Sequence, residues 1–331
     1  MIRKFTRREA LIGVSASVLL PIACGRANKA PTSASDVAFL HGVASGDPDS
    51  NSVVIWTRVS NATDATDIDW RVASDANFKN VVANSKYGTD ADRDYTVNVV
   101  VDNLEPGKEY FYRFEIDGKQ SPSGRTRTLP TGPVDRLVFA AVTCSNYAFG
   151  YFNAYEAIAN DDDIELVVHL GDYIYEHGTD AFGGETGRRI GRNHEPAHET
   201  LTLADYRRRF AQYKTDAGSM AMHARHPLIV LWDDHETANN PWMGGAANHQ
   251  ADEGDWEARR AAALQAFYEW LPVRDSPSGG RREEYWRHYK FGDLASLITL
   301  EARHTGRSQQ IDSDDYLPDI HSQADAENFV N

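Results

Sequence analysis

Four apolar runs in the second half of the chain limit its fold more than any other feature. "RLVFAAVTC" (136–144), "IELVVHLGD" (164–172), "PLIVLWDDHE" (227–236) and "LASLITLEARH" (294–304) are short, rich in branched residues and without apolar–polar alternation. A run with no polar face suits a strand covered on both sides. Helical stretches lie between them: "FGYFNAYEAIAN" (149–160), "LADYRRRFAQYK" (203–214) and "WEARRAAALQAFYEWL" (256–271). Strands alternating with helices predict an α/β fold. In the last stretch Trp256, Arg260, Ala263, Phe267 and Trp270 recur at helical spacing and read as a packed face. The segment "GGETGRRIGRNHEPAHE" (183–199) reads as a long surface loop.

The first half follows a different period. "NSVVIWTRV", "DIDWRVASD", "YTVNVVVDNL" and "EYFYRFEIDG" alternate like strands between Asp, Asn, Gly and Pro turns, predicting a small β-sandwich domain over 36–128. "NLEPGKEYFYRFEIDG" resembles a fibronectin type III module, with Tyr110 at the place of a tyrosine that bonds back to the preceding loop. No site chemistry is legible in it. "RTLPTGPVDR" (127–136) reads as a linker, and a second domain is expected over 134–331.

At the N-terminus, Arg3, Lys4, Arg7 and Arg8 precede an apolar segment from Ala10 to Cys24 that is too short to span a bilayer. That order is the order of an export signal, expected over 1–24. Arg7–Arg8 in "TRREALIG" fits a twin-arginine signal, read by machinery that exports folded proteins. Cys24, after "LLPIA", is a candidate lipid-anchoring cysteine. Removing 1–24 takes away four basic residues and one acid, moving the net charge from −15 to about −18. A surface so acidic repels nucleic acid and anionic headgroups. Removal also leaves Cys144 without a disulfide partner.

Three of the four apolar runs end in groups that bind metal. They are Cys144, then Asp172 with Tyr175, then Asp233, Asp234, His235 and Glu236. Ligands of open α/β sheets gather beyond the carboxyl ends of the strands, so the three clusters are expected to converge. Singly, each has an ordinary structural reading: a turn former for Asp172, a small core residue for Cys144, packing for Tyr173. Together, three carboxylates around one histidine repel one another unless cations neutralise them. Carboxylate, phenolate and thiolate suit ferric iron, whereas carboxylate and amide oxygens, the latter from Asn239, suit calcium; zinc is the alternative metal.

"TRREALIG", "HGVASGDPDSNSVVIWTRV", "VTCSNYAFGYFNAYEAIA", "VVHLGDYIYEHG", "YRRRFAQYKTD", "HPLIVLWDDHETANN" and "AFYEWLPVR" occur in that order. This series resembles the PhoD-type alkaline phosphatase/phosphodiesterase family from the leader to about Arg307, and "GDYIYE" followed by "WDDHE" is its most specific part. The resemblance implies a periplasmic or secreted enzyme that hydrolyses phosphate mono- or diesters with one ferric iron and calcium. It implies a four-layer αββα metallophosphatase domain behind the N-terminal β-sandwich. By position, Cys144 and Tyr175 would bind iron, Asp172 would bridge iron to calcium, and Asp234 and Asn239 would face calcium. His235 would stabilise or protonate the transferring phosphate. The substrate range stays open between small phosphate esters and larger diesters such as teichoic acids or phospholipids. Two departures stand out. Glu301 replaces an aspartate that the family tends to carry ahead of its arginine, here Arg303. The family also continues to a later acid–x–histidine strand, whereas here "HSQADAENFVN" follows, so an incomplete metallophosphatase domain is expected. The competing reading is a non-catalytic envelope protein that binds phosphate or metal without turnover.

Replacing both Arg7 and Arg8 with lysine is expected to retain the precursor in the cytoplasm, because the twin-arginine receptor reads a guanidinium pair rather than charge. Cell fractionation checks this, and normal export of the Lys–Lys variant would point to the general secretory route.

Overall fold

The computed structural model describes residues 37–275 and 280–311, so Arg7, Arg8, Cys24 and the segment 312–331 lie outside the described residues. The first half of the chain forms β1 (Val43–Gly46), β2 (Val53–Arg58), β3 (Thr66–Ala73), β4 (Val81–Thr89), β5 (Thr96–Val101), β6 (Glu109–Ile116), β7 (Lys119–Gln120) and β8 (Gly124–Arg127). The second half begins with β9 (Phe139–Val142), α1 (Asn153–Ala159), β10 (Leu166–His169), α2 (Gly184–Ile190), α3 (Leu203–Lys214) and α4 (Ala217–Arg225). It continues with β11 (Leu228–Val230), β12 (Pro241–Trp242), β13 (Gly245–Ala246), α5 (Trp256–Trp270), β14 (Arg287–Phe291) and β15 (Ala295–Thr299).

Two larger sheets result. One has the order β4-β3-β6-β7, with β8 also on β6, and is antiparallel throughout. The other has six strands in the order β5-β2-β1-β11-β10-β9. Its β1, β11, β10 and β9 run parallel to their neighbours in that series, and β2 and β5 run antiparallel. Val43, Val53, Ile55, Val97 and Val99 of the six-stranded sheet pack on Ile68, Val72, Tyr112 and Phe114 of the other, forming the sandwich core. The Tyr110 hydroxyl accepts the Glu105 N–H (2.8 Å), tying the corner tyrosine to its preceding loop.

The six-stranded sheet runs on beyond the sandwich. Gly46 pairs with Leu228, and the Asp47 N–H donates to the Leu228 carbonyl (2.9 Å). Val53 and Ile55 of β2 face the sandwich, while Trp56 enters the core formed with α3 and α5, its indole donating to the Glu269 carbonyl (2.8 Å). The run "VVIW" is apolar at consecutive positions because both of its faces are covered. The fold is mixed α/β.

β10 and β11 show the same logic. Val167, Leu228 and Val230 join the helix-side core with Tyr206, Phe210 and Phe267. Leu166, Val168 and Ile229 pack instead on Tyr289 and Phe291 of β14. The first and fourth apolar runs depart from expectation: β9 is an edge strand whose residues are exposed or half-buried. β15 pairs with β14 as a separate hairpin and does not enter the parallel sheet. One face of the hairpin covers β10 and β11, and the other leaves Leu294, Ile298 and Leu300 exposed. Segment 183–199 is also more than a surface loop: it forms α2 and buries Arg192, paired with Asp216 at 2.9 Å, and His194. α5 buries most of its later turns, as its spacing predicts, and starts at Asp255, whose carboxylate accepts the Ala258 N–H (2.8 Å). Thr202 and Asp205 form a capping box on α3. Among the described residues no helix is long and apolar enough to cross a membrane.

Asp47 fastens β1 to β14. Its buried carboxylate accepts from the Tyr289 hydroxyl and the Arg274 N–H (2.9 Å each) and lies 3.3 Å from the Arg274 guanidinium. Asp47→Ala strands both donors and is expected to cost about 3 kcal/mol of stability. The urea midpoint at unchanged m-value measures it, and a shift worth under about 0.5 kcal/mol would contradict the assignment.

Candidate metal centre

Because β9, β10 and β11 are parallel neighbours, the loops that follow them open on the same edge of the sheet. Their backbones are laced together. The Cys144 and Ser145 N–H groups donate to the carbonyls of Gly171 (3.2 Å) and Asp172 (3.0 Å), and Leu231 N–H donates to His169 O (3.2 Å). Cys144 and Asp172 both take left-handed backbone, with φ of 57° and 55°. Such a conformation is costly for a residue with a Cβ, and it persists here in two adjacent loops at the sheet edge. Gly171, at φ 98°, admits no side chain: a Cβ would stand 2.3 Å from the Asp233 nitrogen. That close approach brings the loops after β10 and β11 within reach of each other.

The side chains then meet. The Cys144 thiol and the Tyr175 hydroxyl each lie 3.3 Å from a single oxygen, Asp172 Oδ2. Asp172 Oδ1 faces the His235 N–H (3.4 Å). Donor atoms of Asp172, Asp234 and His235 all stand within 4.8 Å of one another, as do those of Glu176, His177 and His235. Asn239 is drawn in through its backbone, whose N–H donates to Glu176 Oε1 (2.6 Å). Cys144 is exposed, which removes its reading as a core residue. Tyr173 is buried in the core, its hydroxyl 2.7 Å from His223. His169, the last residue of β10, is also buried, within 2.8 Å of the Tyr155 hydroxyl, and burial depresses it to about 3, so it stays neutral.

The electrostatics follow from crowding. Burial pushes Asp172 above the usual carboxylate range; His235 offsets part of this, and Asp234 adds to it. Burial likewise raises the Cys144 thiol and the Tyr175 phenol, with Asp172 contributing to both, so each keeps its proton. Glu236 is pushed up to about 8 by burial and by the charge of Asp172, although it accepts the N–H groups of Tyr173 (2.6 Å) and Asp233 (2.9 Å). Burial would lower His235, but the Glu176 hydrogen bond (2.7 Å) and the charges of Glu176, Asp234 and Asp172 outweigh it and lift the imidazole to about 9. Its ring stacks on Tyr175, 4.2 Å between centroids.

Against this geometry the comparisons are direct. The pattern of the PhoD-like phosphatase family matches residues 139–328, and that of the PhoD-like phosphatase N-terminal domain matches residues 25–130. The chain belongs to the PhoD-like phosphatase family. It is 39% identical over 335 residues to alkaline phosphatase D of Bacillus subtilis (strain 168), covering 96% of this chain and 55% of that protein. A solved structure of PhoD superposes with a TM-score of 0.77 at 39% identity, over 86% of this chain and 55% of the other. This PhoD-like chain thus spans about half the length of the relatives it matches.

Two residues of the site are not singled out by the sequence pattern. Glu176, fully buried, holds His235 by one oxygen and the Asn239 N–H and Asn248 carboxamide (3.0 Å) by the other. His177 stands beside both. The acid four positions after Asp172 is the signal that could have pointed to Glu176. Glu301 accepts the N–H groups of Arg303 and His304 (2.6 Å each) and the Trp232 indole (3.2 Å). That turn sets Arg303 on Asp233 through Nε (2.7 Å) and Nη2 (2.6 Å).

Without metal, this PhoD-like centre should weaken in alkali. His235 is raised from 6.5 to about 9, so its contribution is fully present below pH 6.5 and lost as pH rises to 9. Glu236, raised from 4.5 to about 8, acts in the same direction. Glu176, lowered to about 2 by His235 against its own burial, is ionised throughout this window and adds no slope. In chelator, stability is expected to fall by on the order of 5 kcal/mol between pH 6 and 9.5, and Glu176→Gln should flatten the His235 part. Thermal unfolding against pH tests this; a profile that rises across the window would contradict it.

Proposed function

We propose that this chain is an exported, metal-dependent phosphoesterase that hydrolyses phosphate mono- or diesters. The observation that carries the reading is the convergence of the Cys144 thiol and the Tyr175 phenol on one oxygen of Asp172, whose carboxylate also lies within 4.8 Å of ligand atoms of Asp234 and His235. Cys144, Tyr175 and Asp172 hold ferric iron, and Asp172, Asp234 and Asn239 hold calcium. The donor set fits. Thiol and phenol both direct a proton at Asp172 Oδ2, and a trivalent cation among them stabilises both deprotonated forms, while carboxylate with carboxamide suits calcium. When bound, these cations supply positive charge for the phosphoryl oxygens and acidify a water.

The remaining tasks fall to side chains. Glu176 accepts a hydrogen bond from His235 Nδ1–H, which turns Nε2 towards the cluster, 3.9 Å from Asp234 Oδ2. From there His235 hydrogen-bonds a phosphoryl oxygen or protonates the departing alkoxide. Tyr175 fixes the imidazole plane by stacking. Arg303 restrains Asp233 and stands 3.5 Å from Asp234, limiting repulsion in the acidic turn. The functional division assigns residues 134–331 to catalysis and 36–128 to support. The leader 1–24 directs twin-arginine export to the periplasm or beyond, and Cys24 is its anchoring cysteine.

Elemental analysis of the purified chain, alongside hydrolysis of an aryl phosphate, tests this. Asp172→Ala is expected to lose bound metal and at least about a thousandfold in rate, since its carboxylate would be a ligand to both cations. Tyr175→Phe and Cys144→Ser should weaken a visible ligand-to-iron charge-transfer band. An Asp172→Ala variant with wild-type metal content and rate would sink the assignment.

A further inference from the structure

An open cleft of about 440 Å³ adjoins the candidate metal centre and shares two walls with it, Cys144 and Tyr175. The other walls are mainly aromatic. Phe149, Tyr151 and Phe182 are 49%, 64% and 55% exposed, unusual for three large rings around one opening. They are fixed in place: Phe182 packs edge-on to Phe149, 4.9 Å between centroids, and stacks on Tyr175 at 6.2 Å. Behind Tyr151, the Arg192 guanidinium lies 4.7 Å from the ring and is pinned by Asp216. The Asn146 carboxamide oxygen accepts the Ala148 N–H (2.9 Å), setting the short turn that carries Phe149.

Among the described residues the lining contains no Asp, Glu, Lys, Arg or His, although the chain carries a net charge of −15 and the adjoining centre is crowded with acids. An uncharged aromatic wall gives no counter-charge to a second phosphate or to a polyanionic chain, and it offers faces and edges to a flat ring. We propose that this cleft receives the alcohol portion of the ester, and that the alcohol is an uncharged aromatic group. The proposal rests on the phosphoesterase reading and names the substrate class of that site. The phosphoryl group occupies the cluster at Asp172, and the ring of its alcohol lies between Phe149, Phe182 and Tyr151.

Binding of phosphonates, which are not hydrolysed, separates the two readings. The metal-loaded full chain is titrated calorimetrically with methylphosphonate, which reports on the metal centre alone, and with phenylphosphonate, which adds the ring. Phenylphosphonate is expected to bind about tenfold more tightly, the size of one well-placed aromatic contact. In Phe182→Ala and, separately, in Phe149→Ala, the ratio of the two affinities should fall below about threefold. Both residues are surface-exposed, so loss of folding is not the expected cost. Equal binding of both probes by the unaltered chain, or a tenfold ratio that survives both substitutions, overturns the cleft assignment and leaves the phosphoesterase reading standing. Binding of neither probe overturns both.

Discussion

Five carboxylates, those of Asp172, Glu176, Asp233, Asp234 and Glu236, crowd around two imidazoles, His177 and His235, and the Arg303 guanidinium, and the surrounding structure is organised to keep them there. Like charges at such separations disfavour ionisation unless something opposes them. Here the opposition comes from several sources. His235 answers Glu176, Arg303 answers Asp233, backbone N–H groups answer Glu236 and Asp234, and Glu236 itself holds its proton up to about pH 8. Two left-handed residues and one glycine without room for a side chain sit at the loops that bring these groups together. A fold with no use for concentrated negative charge would have little reason to keep that strain.

How much of this was legible in the sequence depended on what each residue faces. The runs around Val167 and Ile229 lacked a polar side because helices cover one face and β14 the other, so their reading as doubly covered strands holds. β15 carries the same signature for a different reason. It is an outer hairpin strand whose Ile298 is exposed, and composition alone does not separate the two cases. β4 escaped notice because Val81, Val82, Lys86 and most of its other residues are exposed or half-exposed on an edge of the second sheet. At the centre, Cys144, Asp172, Tyr175, Asp234 and His235 are visible as strand-end chemistry. Glu176 is marked only by its place four residues after Asp172, because its importance lies in the distant His235, Asn239 and Asn248 that it holds.

Glu301 organises the turn that carries Arg303. Its side chain reaches two consecutive N–H groups and the Trp232 indole, and so holds that turn. What the turn delivers is Arg303, and Arg303 is aligned on Asp233 with two short contacts. Glu301 therefore sets a guanidinium beside the acidic loop.

The passage of one sheet through both halves of the chain also has a meaning in time. Trp56 finds its carbonyl partner 213 residues later, and Asp47 meets Tyr289 across 242. A ribosome adds about 5–20 residues per second, so the helix-facing side of β2 waits on the order of 10–40 s for the segment that covers it. During that interval the sandwich can close on itself, but the surface bearing Trp56 faces water or whatever else is near. The nascent chain thus carries an uncovered apolar face for that interval, and the rate of synthesis between residues 56 and 269 sets how long.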